Sequence, residues 1–157
     1  EGELRPQLLD RFGMHVEIRT VKEPALRVQI VEQRTNFDRS PYKFIKHYHA
    51  KQRALQSQIV KAQKKLKTIA IPYNMRMMIS QVCANLNVDG IRGDIVTNRA
   101  AIALVALEGR QEVAIEDIQR VITICLRHRL RRDPLESIDS GDKVRKAFRR
   151  VFALPEN

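Results

Sequence analysis

Apolar residues recur at steps of three and four along most of the sequence, and this spacing limits the chain to a mainly α fold. The clearest stripe begins at Phe44 and continues through Tyr48, Leu55 and Ile59 to Leu66. Such steps place side chains on one face of an α-helix, whereas a strand requires strict alternation. The abundance of Leu, Ile, Val, Ala, Lys and Arg, with no Trp and only 6 Gly, favours the same conclusion.

Proline, glycine and polar turn residues mark where the individual helices begin and end. Pro6 suits the first turn of a short helix, and Gly13 suits the residue after its end. Pro24 and Pro41 each suit the start of a further helix. The predicted helices are a short one between residues 6 and 13, then 24–38, 41–67, 73–87, one from the turn at 89–94 to residue 108, then 113–131 and 143–152.

Residues 14–19 alternate apolar and polar side chains, which is the only convincing strand pattern in the sequence. A single strand is not stable alone, so we expect it to join a sheet supplied from outside this chain. The sequence begins at Glu1 rather than at a methionine, and it contains no phosphate-binding loop of the GxxxxGK[ST] type. These observations predict the end of an α/β core whose first part lies upstream.

The basic charge is concentrated in one segment. Residues 39–88 contain ten Lys and Arg and no acid, whereas residues 1–38 contain six basic and seven acidic side chains and residues 89–157 contain thirteen and eleven. This segment therefore accounts for nearly all of the net charge of +11. It fits a solvated helix or one that docks an acidic partner. A basic helical nucleic-acid-binding module is the alternative, but no helix-turn-helix, zinc motif or aromatic stacking platform supports it.

The two cysteines, Cys83 and Cys125, lie far apart without metal-ligand spacing. We expect both to be reduced and packed on apolar helical faces, in a reducing compartment. Cys125 and His128 are spaced so that they could meet as a nucleophile pair, although a cysteine on an apolar face is ordinarily part of the core. No metal site is predicted, and no apolar run approaches the ~20 residues of a membrane span.

Three segments together resemble one known family. Residues 1–13, with Arg11 before Phe12 and Gly13, resemble the arginine-finger segment of magnesium chelatase ATPase (I) subunits, which are AAA+ proteins. Residues 89–101, with Arg92 between Gly90 and Gly93, resemble the sensor-2 segment of that family. Residues 125–141 resemble its C-terminal signature. Order and spacing agree along the whole chain, and the 125–141 signature argues against the alternative, the lid of a MoxR-type AAA+ chaperone.

The resemblance implies a division into three parts. Residues 1–38 would be the end of the AAA+ core, with the arginine-finger helix and one strand. Residues 39–72 would form a long basic connecting helix, and residues 73–157 a helical lid domain that carries the sensor-2 arginine. In this family the connecting helix resembles an insertion that moves the lid. Whether Arg92 contacts the nucleotide of its own subunit or that of a neighbouring subunit therefore stays open.

The resemblance also implies a function. The complete protein would be a ligase that hydrolyses ATP in a hexameric AAA+ ring and, with chelatase D and H subunits, drives Mg2+ into protoporphyrin IX for chlorophyll biosynthesis. ATP and its Mg2+ would be held mainly by the upstream core, so the chain alone would be inactive. The compartment would be the cytoplasm of a photosynthetic bacterium or the chloroplast stroma.

Two residues carry the predicted chemistry. By resemblance, Arg11 is the finger that reaches the γ-phosphate of ATP and Arg92 is the sensor-2 arginine. A guanidinium suits both roles because it is always charged and presents a rigid donor fork to phosphate oxygens. The plainer interpretations are a surface Arg11 paired with Asp10 or Glu17, and a solvated Arg92 in an ordinary turn. Arg99, about two helical turns after Arg92, is expected to serve the fold.

Overall fold

The computed structural model describes residues 5–130 and 139–154 of the 157-residue chain, and the described part is mainly helical, as predicted. Of the 125–141 signature, residues 131–138 lie outside the described residues, and its last two residues begin a helix at Ser140, where the sequence predicted a loop from 137 to 141. The helices, numbered in chain order, are α1 (Pro6–Leu9), α2 (Pro24–Arg39), α3 (Pro41–Lys65), α4 (Tyr73–Asn85), α5 (Arg92–Leu107), α6 (Ile115–Leu126), followed by a 3-10 turn (Arg127–Arg129), and α7 (Ser140–Val151).

The chain divides into two compact units. One contains Glu1–Val16 and Lys61–Asn157, and the other contains Glu17–Val60. The three-part division expected from the resemblance, at residues 38 and 72, is a functional one and stays a prediction. No helix in the described ranges is both long and apolar enough to cross a bilayer.

The smaller unit consists of α2 and the part of α3 that ends at residue 60. Helix α2 has no buried residue, so its packing depends on ring contacts. Phe37 meets Phe44 edge to face with ring centroids 5.7 Å apart, and Tyr48 lies 4.9 Å from Phe44. Arg34 adds an exposed ion pair with Asp38 at 2.8 Å, one helical turn away. Exposed pairs of this kind contribute little, and Phe37–Phe44 is a ring contact that joins α2 to α3.

The larger unit has the hydrophobic core. Helices α4, α5, α6 and α7 each contribute side chains that are fully buried, and α5 against α6 is the most extensive of the helix contacts. Burying apolar side chains of this size stabilises by about 1.5–3 kcal/mol each. The largest of the fully buried apolar side chains are Ile79, Val82, Val105, Ile118, Ile122, Leu126, Val144 and Phe148.

The start of α6 is organised by a buried carboxylate. Asp117 accepts a hydrogen bond from the backbone N–H of Ala114 at 2.9 Å, which caps the first turn. Its carboxylate, whose side chain is 3% exposed, also forms an ion pair with Arg110. The Arg110 guanidinium holds the pKa of Asp117 below its usual range. Arg110 also bonds Glu108, which pairs in turn with the exposed Arg120 at 2.5 Å.

The strand at residues 14–19, which was expected to pair with a sheet from outside this chain, stays a prediction. Residues 14–23 have no regular secondary structure, and Val16 and Ile18 are exposed, the latter by 90%. The described residues contain no second strand to pair with, and alternation alone cannot supply the ladder hydrogen bonds that a strand needs. His15 is held to the helical core through its backbone N–H, which donates to the carbonyl of Ile124 at 2.8 Å.

Gly93, the second residue of α5, sits where that helix comes closest to its neighbours. A Cβ at this position would lie 2.9 Å from Cδ2 of Leu126, 3.1 Å from Cγ1 of Val88 and 3.4 Å from the sulfur of Cys83. Leu126 and Cys83 are buried, so neither side chain can swing into solvent to make room. The glycine therefore sets how closely α5 approaches α4 and α6.

Replacing Gly93 by alanine is expected to destabilise the chain. Overpacking destabilises the fold by about 1–3 kcal/mol. The better helix propensity of alanine offsets at most about 1 kcal/mol of that loss. We expect a net loss of about 1 kcal/mol in the free energy of unfolding, measured by urea titration. A Gly93→Ala variant combined with Val88→Ala, which removes one of the close contacts, should lose less than the sum of the two single losses. A single variant more stable than the parent would contradict this packing.

Candidate functional site

Arg11 and Arg92, the two arginines predicted from the sequence, lie beside one cavity of the larger unit. Its volume is about 680 Å³, and it lies between the segment that follows α1 and the start of α5. A third arginine, Arg99, faces the same cavity two turns further along α5. The residues that line it are Asp10, Arg11, Asp89, Gly90, Ile91, Arg92, Ile95, Val96 and Arg99.

Arg92 is the first residue of α5, at the end of the helix where partial positive charge accumulates. Gly90, two residues earlier, has φ +71°, a left-handed conformation that favours glycine and turns the chain into the helix. The Nη1 atom of Arg92 donates to the Asp10 carboxylate at 2.9 Å and to the Asp10 carbonyl at 3.2 Å. The side chain is half exposed, so this guanidinium holds an oxyanion at the edge of the cavity.

Arg11 follows α1 directly and its side chain is exposed. It forms no ion pair with any residue that the structure describes. Asp10, one of the two partners expected in the plainer interpretation, is instead held by Arg92 and Arg129. A guanidinium without a partner beside a cavity is available to a ligand that carries negative charge.

Arg129 is a residue of this site that sequence reasoning missed. It ends the 3-10 turn after α6, and its side chain is only 1% exposed. Its Nη1 donates to the Asp10 carbonyl at 2.7 Å and forms an ion pair with the Asp10 carboxylate. Its Nη2 donates to the Phe12 carbonyl at 2.8 Å, and its Nε to the Cys125 carbonyl at 2.9 Å. In the sequence Arg129 is one of several basic residues near a helix end, a pattern that the helix dipole explains without any role in a site.

His128 supports the same segment from the same 3-10 turn. Its Nε2 lies 3.0 Å from the Phe12 carbonyl, so the hydrogen bond requires the proton on Nε2. Burial lowers the pKa of His128, and the charge of Arg129 lowers it further, which favours the neutral ring. The ring also lies 5.7 Å from that of His15, centroid to centroid. The alternative in which Cys125 and His128 form a nucleophile pair, which the sequence already disfavoured, gains no support, since Nε2 of the histidine faces the Phe12 carbonyl.

Arg99 differs from its predicted role in the fold. Its side chain is exposed, faces the cavity and forms no ion pair with a described residue. The helix in this region is held instead by Thr97, whose hydroxyl donates to the Gly93 carbonyl at 2.8 Å within the core. The cavity therefore has three arginines, of which one, Arg92, is paired with a carboxylate.

Both cysteines are free and buried, as predicted, and the sulfur of Cys83 lies close to Gly93 at the start of α5. Burial, together with the nearby charge of Asp94, raises the pKa of Cys83 to about 12, and burial raises that of Cys125 to about 11. Because the thiolate is the reactive form, we expect both to react slowly with a thiol reagent in the native protein and rapidly after denaturation in urea. Fast native labelling of Cys83 would contradict the packing around Gly93.

Comparison with known proteins agrees with the resemblance of the motifs. The AAA lid domain family matches residues 76–147, which include α5, α6 and Arg129. Magnesium-chelatase subunit ChlI of Anabaena variabilis is 67% identical over 98% of this chain, which covers 46% of that protein. The subunit of the same name from Synechocystis is 66% identical over 98% of the chain and 43% of that protein. The chloroplastic subunit from Chlamydomonas reinhardtii is 64% identical over 98% of the chain and 37% of that protein.

The helical fold and the family match thus identify an AAA lid domain at residues 76–147. Within that class, the chain belongs to the family of magnesium-chelatase subunit ChlI and corresponds to its C-terminal part. It spans somewhat less than half the length of the curated relatives named above.

Proposed function

We propose that this chain is the part of an ATP-hydrolysing magnesium-chelatase motor subunit that supplies two arginines to a nucleotide. The observation that carries the proposal is the shared cavity of Arg11 and Arg92, in which Arg92 already binds the carboxylate of Asp10. A carboxylate and a phosphate present similar oxygens to a guanidinium. The cavity therefore has the chemistry to receive the terminal phosphate of ATP.

The two arginines act by placing fixed positive charge where negative charge accumulates during hydrolysis. Phosphoryl transfer spreads charge over the γ-phosphate oxygens, and donors held in position stabilise that charge at little reorganisation cost. Arg11 is the finger, because its guanidinium is exposed and makes no ion pair in the described part of the chain. Arg92 is the sensor-2 residue, because it lies at a helix N-terminus, where backbone N–H groups also favour an anion.

The placement of both arginines in one chain bears on which nucleotide they reach. The sequence contains no phosphate-binding loop, so the nucleotide is held by another part of the assembly. If Arg11 reaches the nucleotide of a neighbouring subunit, Arg92 reaches that same nucleotide, because they line the same cavity. We therefore propose that both arginines act across the subunit interface, on the nucleotide of the neighbouring subunit. The sequence alone left open whether Arg92 contacts its own subunit's nucleotide or a neighbour's.

The remaining parts of the proposal follow from the family. The complete subunit assembles into an AAA+ ring, hexameric as in the predicted function, and works with chelatase D and H subunits. Magnesium bound with ATP, held by the nucleotide-binding core, supplies charge neutralisation at the phosphates. We propose the cytoplasm of a photosynthetic bacterium or the chloroplast stroma as the subunit's compartment, a choice supported by relatives from a cyanobacterium and from a chloroplast.

A reconstituted chelatase assay tests this function directly. The complete subunit, mixed with D and H subunits, protoporphyrin IX, ATP and Mg2+, should form magnesium protoporphyrin, detected by its fluorescence. Omitting the subunit, or replacing ATP with a non-hydrolysable analogue, should abolish product formation. Product formed at the same rate without this subunit would refute the proposed function.

The 157-residue chain by itself should not bind ATP tightly. Most of the binding energy of a nucleotide comes from a phosphate loop, and the sequence has none. Isothermal titration with a non-hydrolysable ATP analogue should show no binding in the micromolar range and no hydrolysis should be detected. Micromolar affinity would mean that the cavity lined by Arg11 and Arg92 is itself a complete nucleotide site.

A further inference from the structure

We propose that Arg129 is a positioning residue that holds Arg11 and Arg92 at the phosphate site. This inference rests on the proposed function of those two arginines and adds a residue that does not line their cavity. Arg129 acts only through its bonds to residues 10–12, and it has no direct contact with the nucleotide.

Arg129 binds the two backbone carbonyls that flank Arg11 in the sequence. Arg129 donates to the carbonyl of Asp10 at 2.7 Å and to the carbonyl of Phe12 at 2.8 Å, one from each terminal nitrogen. Fixing the carbonyl before and the carbonyl after Arg11 fixes the backbone from which its side chain extends. The Arg11 side chain therefore keeps a defined direction although it is exposed and has no ion pair with a described residue, because its backbone is held in place.

The same guanidinium also controls Arg92, through Asp10. The Asp10 carboxylate binds Arg129 on one oxygen and Arg92 on the other. The Arg129 side chain is 1% exposed, whereas those of Asp10 and Arg92 are 43% and 50% exposed. The buried bond is shielded from water and salt and is the persistent one, while the exposed bond is the one that a phosphate can replace. Arg129 thus keeps Asp10 in place when Arg92 turns to the nucleotide.

A lysine cannot replace this arginine. Three nitrogens of Arg129 donate to three different carbonyls. The third hydrogen bond, from Nε to the carbonyl of Cys125 at 2.9 Å, connects Arg129 to the end of α6. A lysine has a single nitrogen and no planar fork, so it keeps the charge but cannot hold both sides of Arg11. Arg129→Lys is therefore the informative variant, because it removes the geometry while leaving the positive charge.

Arg127→Lys is the matched control. Arg127 belongs to the same 3-10 turn, and its Nη2 binds the carboxylate of Asp139 at 3.2 Å. Both variants are made in the complete subunit. For each, the ATPase kcat and KM are measured, together with the stoichiometry of binding of a non-hydrolysable ATP analogue. The stoichiometry counts correctly folded sites, so a merely structural effect lowers it in parallel with kcat.

Arg129→Lys should lower kcat by about 10²-fold, the scale of loss that a misplacement of about 1 Å produces. KM and the binding stoichiometry should stay at the parent's values, and Arg127→Lys should match the parent in all three quantities. An unchanged kcat for Arg129→Lys would overturn the inference. So would a lost binding stoichiometry, because Arg129 would then support the fold and not the site.

Mixing experiments decide whether Arg129 works through Arg11. Arg129→Lys subunits mixed with subunits that lack a working phosphate loop should regain activity, because one interface then has both intact halves. Arg129→Lys mixed with Arg11→Ala subunits should regain none, because both variants damage the same side of the interface. Recovery in that second mixture would overturn the inference. Full activity of Arg11→Ala alone would instead contradict the proposed function. A failure of the inference about Arg129 can therefore be distinguished from a failure of the proposed function.

Discussion

Replacing Arg11 by alanine in the complete subunit is expected to slow ATP hydrolysis by about 10³–10⁵-fold, the range that arginine fingers contribute in phosphoryl transfer. Nucleotide binding should change little, since the phosphate loop of the subunit that holds the nucleotide supplies most of that energy. The exposed, unpaired state of Arg11 in the described structure explains why the loss falls on hydrolysis and not on the fold. ATPase kinetics and titration with a non-hydrolysable analogue measure the two effects separately.

Arg11→Lys separates charge from geometry. It should rescue little of the activity, because a compact ammonium cannot present the planar donor fork of a guanidinium to phosphate oxygens. Arg120→Ala provides the control, because Arg120 is exposed and pairs with Glu108 away from the cavity. Arg120→Ala should keep full activity. An Arg11→Ala subunit as active as Arg120→Ala would contradict the role of Arg11 as a finger.

Arg92→Ala is the second large effect, with an expected loss in kcat of about 10²–10³-fold, the scale for removing one preorganised donor. The loss is smaller than for Arg11 because the backbone N–H groups at the start of α5 remain available to the phosphate. Stability should change little, because Arg92 is half exposed and Asp10 keeps its buried bond to Arg129. Steady-state ATPase kinetics and thermal unfolding of the complete subunit test the two statements.

Arg120→Ala is again the control for Arg92→Ala, since the two arginines have similar exposure, 50% and 56%, and each pairs with one acidic residue. If both variants lose activity equally, the effect comes from general surface charge. If Arg92→Ala unfolds at a much lower temperature than Arg120→Ala, its ion pair with Asp10 is structural and the sensor-2 role is contradicted.

The helices were predictable from the sequence because their signals are local. Pro24 and Pro41 do stand at the first positions of α2 and α3, and α5 begins at Arg92, directly after the turn at 89–91. The strand at residues 14–19 could not be judged in the same way. A strand exists only when another strand pairs with it, and the alternating pattern contains no information about the partner.

The candidate site was predicted in part. Arg11 and Arg92 were found by resemblance, and their common cavity follows from a fold that brings residues 10–12 against the start of α5. Arg129 was missed because its role depends on carbonyls 119 and 117 positions earlier in the chain. No local pattern distinguishes such a buried arginine from Arg127, two residues before it. Contacts at that sequence separation become visible only in the folded structure.

Action across the subunit interface is the central claim, and an ATPase assay of mixed rings tests it most directly. Arg11→Ala subunits are combined with subunits that lack a working phosphate loop, across a range of ratios at constant total protein. The account predicts that intermediate ratios exceed the activity of either variant alone, because some interfaces then pair an intact phosphate loop with an intact Arg11. If both variants assemble into rings and no ratio exceeds either one alone, Arg11 does not act on a neighbour's nucleotide.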